Sequence, residues 1–408
     1  MAAPCTSSAP RRRARPPAAC AARADTAAAR RRPRVGAGPA PPAPDGRPPW
    51  PPGSGSLIKY LGSKKALLGP ILRAIGAAAG EGAVVADLFS GSARVAHAVK
   101  AAGWQVLAND ELRFAQVLAR GVVQADAEAW GARARRLLAD FADLPPAPGW
   151  FTETYAGQAR YLHPANAARI EAVREAIRRL EAEPELEAVL LAALLQAADR
   201  VDSSPGHQMA FLRALAPRAL KPLALRLPDL LPRPASGPCL ALGEDAVALA
   251  AAIECDVAYL DPPYDQHAYL ANYHLWETLV RWDRPEVYGR ACKRTDCRTR
   301  RSPFNRRAAI GPAFATLVAA LRAPTLVVSF GAEGFLGRAE LERMLAGRGY
   351  LHVLEVPHRR YAGTRLGIHN GRGEKVGRPG PAATVERLYV ASDRLLDLPA
   401  DQPWCRVP

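Results

Sequence analysis

Short apolar runs that stop on an acid or a small-residue turn recur along this 408-residue chain, and stretches of helix-forming composition stand between them. Val84-Val85-Ala86-Asp87-Leu88-Phe89 enters the turn Ser90-Gly91-Ser92, and the stretch from Ala93 to Ala102 favours a helix. Gln105-Val106-Leu107-Ala108-Asn109-Asp110 reads as a second strand, with a helix following from Leu112. Together these make a β-α-β unit. Later runs at 256–260, 325–330, 351–356 and 384–390 read as further strands, and 313–321 as a helix. From Trp130 to Pro238 the pattern changes. Residues 166–180 and 185–200 have helical spacing, with Ile170, Val173, Ile177 and Leu180 on one stripe, and few strand signals occur before Ala250. The expected fold is therefore α/β. An open, Rossmann-like sheet is built from residues 56–129 and 239–395 and interrupted by a mainly helical insert at 130–238.

Composition sets the outer bounds. With 49% hydrophobic residues, wholesale disorder is excluded. A net charge of +16 suggests a polyanionic partner, most simply nucleic acid. Half of that charge, +8, lies in residues 1–55, where ten arginines face Asp25 and Asp45 in an Ala/Pro/Arg-rich tail expected to be disordered. Three readings of the tail stand open: a nonspecific DNA-binding arm, an organelle transit segment, or upstream sequence translated from a start placed too early. Seven cysteines without a CxxC pair or a His cluster argue against zinc and fit a reducing cytoplasm. No apolar run of membrane-spanning length occurs.

The sharpest chemical signal is Asp261-Pro262-Pro263-Tyr264, directly after an apolar strand. Open α/β sheets bind ligands just outside strand carboxyl ends. An Asp carboxylate and a Pro carbonyl supply two acceptors, which match the two N–H donors of an amino group. Accepting both hydrogens aims the amine's lone pair at an electrophile, while the tyrosine offers a flat face to a heterocycle. The plain alternative is a strand-ending turn. In Asp87-Leu88-Phe89-Ser90-Gly91-Ser92-Ala93 a small residue stands where a ligand nears the backbone. Asp110, 19 residues beyond Gly91, stands where an acid binds ribose hydroxyls. The alternative there is an ordinary β-α turn with a helix-capping acid. Tyr60-Leu61-Gly62-Ser63-Lys64 opens the fold with a glycine between aromatic and basic side chains.

In these motifs the chain resembles the Dam-like adenine-specific DNA methyltransferases over about residues 57–392. Tyr60 to Lys64 looks like the family's N-terminal cofactor motif, and Asp87 to Ala93 like its S-adenosylmethionine motif. Ala93 stands where the usual form ends in glycine, a mild departure because Ala is also small. Asp261 to Tyr264 matches the catalytic motif without change, and the stretch from Asn272 to Thr278 resembles a family subgroup. The resemblance implies a methyltransferase sheet whose insert recognises DNA. It implies that Asp87, Phe89 and Gly91 line the cofactor site, that Asp110 binds the ribose, and that Tyr60 and Lys64 close over it. Asp245, preceded by the inserted Glu244, would lie near the cofactor's adenine. Asp261 and the Pro262 carbonyl would hold the target amine, with Pro263 stiffening the turn and Tyr264 stacking on a flipped adenine. The partner implied is double-stranded DNA, with no metal required; a cognate restriction endonuclease and a solitary enzyme stand as alternatives.

Asp rather than Ser or Asn before Pro-Pro-Tyr favours adenine. The alternatives are the cytosine amino group, an RNA base, or an inactive DNA-binding relative. Cytosine-carbon methylation would need a thiolate nucleophile, and Cys239 after Pro238 lacks the supporting sequence. Residues 290–307 carry eight basic side chains against Asp296, which suggests a phosphate-contacting loop with Arg298, Arg300 and Arg301 as its centre. A solvated loop is the alternative. Tyr269, Tyr273 and Trp276 fall on one helical face, which more often marks core packing than a base pocket.

Overall fold

Apolar runs without polar alternation must be covered on both faces, and that requirement organises the fold. In the computed structural model, which describes residues 57–209, 212, 214–359, 368–369, 375–377, 383–400 and 402–407, those runs form the strands of one central sheet. The tail at 1–55 and its three readings lie outside the described residues.

In chain order the strands are β1 (Val84–Asp87), β2 (Gln105–Asn109), β3 (Leu240–Leu242), β4 (Val257–Leu260), β5 (Val287–Tyr288), β6 (Lys293–Arg294), β7 (Thr325–Gly331), β8 (Tyr350–Arg359), β9 (Ile368–His369), β10 (Lys375–Gly377), β11 (Ala383–Ser392) and β12 (Cys405–Val407). The eight-stranded sheet has the order β12-β8-β11-β7-β4-β1-β2-β3, while β5 with β6 and β9 with β10 form separate two-stranded pairs. The strands β3, β2, β1, β4 and β7 run parallel. β11 is antiparallel to both β7 and β8. From β1 the chain builds outward to β2 and β3, then returns to add β4 on the other side. That reversal creates a switch point between the carboxyl ends of β1 and β4, where such sheets bind ligands. The arrangement is the fold of an S-adenosylmethionine-dependent methyltransferase, as the sequence predicts.

The helices are α1 (Leu68–Ala78), α2 (Arg94–Ala101), α3 (Arg113–Ala119), α4 (Ala127–Ala142), α5 (Trp150–Thr152), α6 (Pro164–Arg179), α7 (Pro184–Arg200), α8 (Ala246–Ala250), α9 (Tyr269–Asn272), α10 (His274–Arg281), α11 (Arg307–Ala320) and α12 (Arg338–Ala346). Residues of β4 show how the two faces are filled. Val257 and Tyr259 point into a core shared with α1 to α7 and α10, whereas Ala258 and Leu260 point into a second core with α8, α11 and α12.

Three expectations need correction. A strand, β3, stands before Ala250 where the sequence shows few strand signals, because a three-residue edge strand carries too little pattern to stand out from a loop. The sheet also extends past residue 395, since β12 pairs with β8. Finally, Tyr269, Tyr273 and Trp276 do not share one helix. The chain breaks at Tyr273 (φ −129°, ψ 28°) between α9 and α10. The region between β2 and β3 holds α3 to α7, and these helices share the core of α1 and α2 on one face of the sheet. Nearly every residue of α7 from Leu186 to Asp199 is buried, which fits a helix that is apolar all round. Among the described residues no helix is long and apolar enough to cross a membrane.

Candidate active site

A pocket opens at the carboxyl edge of β1, β2, β3 and β4, at the switch point. Its walls include Tyr60, Phe89, Asp110, Asp245, Asp261 and Pro263 of the expected site. Five acids (Asp110, Glu111, Glu244, Asp245 and Asp261) and one base (Arg300) line it, so it favours a positively charged ligand.

The turn after β1 explains the small residues there. Gly91 has φ +50°, and a Cβ at that position would come within 2.8–2.9 Å of the Tyr60 ring. Ala93 is also left-handed, at φ 62°, where it caps α2. The glycine usual in the family at this position thus answers to backbone conformation as well as size, and Ala93 carries the strain of a left-handed L-residue. Tyr60 stacks on Tyr269 (centroids 5.2 Å apart) and on Tyr273 (4.9 Å). The Tyr273 hydroxyl accepts the Leu61 N–H at 2.6 Å, and the Tyr269 hydroxyl donates to the Leu61 carbonyl at 3.3 Å. Tyr273 and Trp276 are core residues, whereas Tyr269 lines the pocket.

Asp110 is fixed at the end of β2. Its Oδ2 accepts the Gly91 N–H and its Oδ1 the Leu112 N–H, both at 2.9 Å. Burial pushes its carboxyl up to about 6, although those two N–H donors oppose the rise. Asn109, the last residue of β2 and absent from the expected site, ties the loops after β1 and β3 to β2. Its amide donates to the carbonyls of Leu88 (3.3 Å) and Glu244 (3.0 Å), and its oxygen accepts the Glu244 N–H at 2.9 Å. Asp245 lines the pocket while its Oδ1 caps α8 through the N–H groups of Val247 and Ala248. Asp87 is not in the wall. It is buried behind it, where burial first and Asp261 second push its carboxyl up to about 8.

After β4, Asp261 and Pro263 face the pocket and Pro262 is buried. Tyr264 packs against Phe330 (centroids 5.1 Å apart), and its carbonyl accepts the Phe335 N–H at 2.8 Å. Gly331 on β7 leaves room for that ring, which an added Cβ would approach to 3.0 Å. Burial pushes the Asp261 carboxyl up to about 6 against the pull of Lys64. Lys64 departs from expectation. Instead of lining the pocket it is buried beneath it, with Nζ 2.9 Å from Asp261 Oδ1 and 3.1 Å from Glu386 Oε1. A buried ammonium requires carboxylate partners, and these two hold it well above its ordinary pKa despite burial.

The basic loop divides. Arg298 is exposed and sits 4.0 Å over the Tyr288 ring, and Arg301, Arg306 and Arg307 are exposed too. Arg294 is buried and pairs with Asp283 and Asp296, so it is structural. Arg300, expected on DNA, is turned instead into the pocket wall. It lies 3.6 Å from Glu277, 3.6 Å from Asp296 and 4.0 Å from Glu111. Three acids draw it inward; Asp296 stands four residues before it, whereas Glu111 and Glu277 are far off in the chain and only the fold sets them beside it. Ser302, Phe304 and Asn305 complete the same wall, with Phe304 edge-on to Phe89 at 5.2 Å.

Comparison with known proteins finds DNA methyltransferases. The profile of the D12 class N6 adenine-specific DNA methyltransferases matches residues 60–311. The chain is 30% identical over 324 residues to the Type II methyltransferase M.FokI of Planomicrobium okeanokoites, covering 74% of this chain and 50% of that protein. It is 29% identical over 344 residues to the Type II methyltransferase M.NlaIII of Neisseria lactamica, covering 82% and 98%. To the Type II methyltransferase M.CviAII of Paramecium bursaria Chlorella virus 1 it is 26% identical over 313 residues, covering 74% and 92%. The chain thus spans about half the length of M.FokI and nearly all of M.NlaIII.

Proposed function

The chain belongs to the D12 class N6 adenine-specific DNA methyltransferase family, a family of enzymes, and from that membership we propose that it methylates the exocyclic amine of adenine in double-stranded DNA, using S-adenosylmethionine. The observation that carries the reading is Asp261 at the switch-point pocket, with Oδ1 held by Lys64, beside the rigid Pro262-Pro263 turn and the Tyr264 ring.

The pocket's own residues fit the cofactor. Asp110, locked by two backbone N–H groups, presents an acceptor suited to ribose hydroxyls. Phe89 and Phe304 supply aromatic surface for a purine. The acid-rich lining suits a sulfonium. When bound, S-adenosylmethionine supplies an electrophilic methyl group, and the electrons of its S–C bond pass to sulfur as a thioether forms.

The protein's part is positioning. The target amine lies inside the duplex, so the base must be flipped out, at a cost of a few kcal/mol. Asp261 and the Pro262 carbonyl accept the two amine hydrogens and turn the nitrogen lone pair toward the methyl group. Tyr264 stacks on the base. The methylated nitrogen then sheds one proton, for which Asp261 is the adjacent acceptor. Most of the acceleration comes from holding the reactants in line. Exposed Arg298 and Arg301 supply phosphate contacts. A cognate endonuclease belongs to the same proposal, on the strength of the relatives' Type II names.

The test is expression of the chain in a host without adenine methylation, followed by modified-base sequencing of that host's DNA. N6-methyladenine at one sequence is expected. Methylated cytosine, or no modified base, would overturn the reading.

A further inference from the structure

Lys64 has three acceptors within reach. Its Nζ donates to the Gly62 carbonyl at 3.1 Å and lies 2.9 Å from Asp261 Oδ1 and 3.1 Å from Glu386 Oε1. The three ammonium hydrogens thus have three acceptors. Glu386 is itself fixed, since the Ser329 hydroxyl donates to its Oε1 at 3.0 Å. Lys64, Ser329 and Glu386 are all buried, so these charges act on one another with little screening by water. Glu386 stands on β11 opposite Gly331 of β7, the residue that makes room for Tyr264. It lies outside residues 60–311, which the family profile matches.

We propose that Glu386 is a positioning residue for methyl transfer: by sharing the Lys64 ammonium with Asp261, it keeps Asp261 a strong acceptor for the target amine. This rests on the function proposed above. Two carboxylates share one ammonium, so the group carries one net negative charge. Without Glu386 the whole positive charge of Lys64 would fall on Asp261. A carboxylate neutralised in that way is a weaker acceptor and aligns the amine less firmly.

The other groups that face Asp261 leave Glu386 as the tunable one. Asp87, behind the wall, is pushed up to about 8 and so is uncharged where Asp261 titrates. The phenols of Tyr60, Tyr259, Tyr264 and Tyr269 are pushed far above neutrality by burial and stay uncharged. Glu386 raises the Asp261 carboxyl's pKa and Lys64 lowers it, so loss of Glu386 shifts that titration to lower pH.

The test compares the full chain with Glu386→Gln and Glu386→Asp. Three quantities are measured: the Asp261 carboxyl titration by carbon NMR, assigned by its absence in Asp261→Asn; S-adenosylmethionine affinity; and the single-turnover rate against pH on DNA carrying the modified site. In Glu386→Gln the carboxyl should titrate at lower pH, and the acid limb of the rate should move the same way. The rate at neutral pH should fall about tenfold, the effect of weakening one charge-assisted hydrogen bond. Cofactor affinity should hold within about twofold, because Glu386 does not line the pocket. Glu386→Asp, with its charge one methylene further off, should shift the limb less.

A merely structural counter-charge would lower stability and leave both titrations in place, and that result overturns the proposal. If Gln at 386 abolishes cofactor binding through misfolding, an unmoved limb in Glu386→Asp overturns it equally. If the wild-type chain methylates no adenine, the functional reading fails, and the carboxyl titration still decides whether Glu386 tunes Asp261.

Discussion

Two substitutions in the turn after β1 should have very different effects although both exchange glycine and alanine. Gly91→Ala places a methyl group on a backbone at φ +50° and drives it to 2.8 Å from Tyr60 Cε1 and 2.9 Å from its Cζ and hydroxyl oxygen. The left-handed conformation costs roughly 1–2 kcal/mol for an L-residue. Reduced freedom of the unfolded chain returns about 0.4–1 kcal/mol. Tyr60 is stacked against Tyr269 and Tyr273 and cannot simply swing aside, so overpacking adds roughly 1–3 kcal/mol. The net expectation is a loss of about 3 kcal/mol. Because Tyr60 is part of the pocket wall, S-adenosylmethionine affinity should fall by about tenfold or more. Ala93→Gly, at φ 62°, relieves about 1–2 kcal/mol of strain. It gives up about 0.4–1 kcal/mol to unfolded-chain freedom and about 0.8 kcal/mol of buried methyl. It should therefore be nearly neutral. Urea unfolding measures the first quantity and calorimetric titration with S-adenosylmethionine the second. A Gly91→Ala protein with unchanged stability and affinity would refute the packing of Tyr60 on this turn.

Asp261→Ala should abolish methyl transfer while the protein stays folded and binds S-adenosylmethionine, and detectable turnover would refute the role given to Asp261. In the proposed reaction Asp261 accepts the amine only when ionised, and burial raises its pKa to about 6, so the single-turnover rate should fall as pH drops through about 6; an acid limb near the ordinary carboxylate range would contradict this. Asp87 titrates at about 8 when folded, above its unfolded 3.8, so the fold loses stability as pH rises from the lower value to the higher. Asp87→Asn should therefore raise the melting temperature at pH 8 and change it little at pH 4, and equal effects at both would count against the assignment. Arg298→Ala and Arg301→Ala should each flatten the salt dependence of DNA binding by about one unit of slope per lost phosphate contact. Arg300→Ala should instead weaken S-adenosylmethionine, and a DNA defect without a cofactor defect would return Arg300 to the DNA side.

What the sequence determined by itself is local. Burial on both faces demands an unbroken apolar run, so β1, β2, β4 and β7 could be read from 83–110, 256–260 and 325–330. The turn Asp261-Pro262-Pro263-Tyr264 is contiguous, and the chemistry proposed for it follows from residue types that side-chain packing does not alter. The tertiary structure decided what depends on distant partners. Lys64 and Arg300 look alike in sequence, as basic residues beside small or polar ones. Lys64 is drawn beneath the pocket by Asp261 and Glu386, and Arg300 is drawn into the pocket wall by Glu111, Glu277 and Asp296. Glu386 reads as an unremarkable strand residue until β11 sets it against Lys64, more than 300 positions away in the chain. A charge takes its role from its counter-charges, and only the folded sheet brings those together.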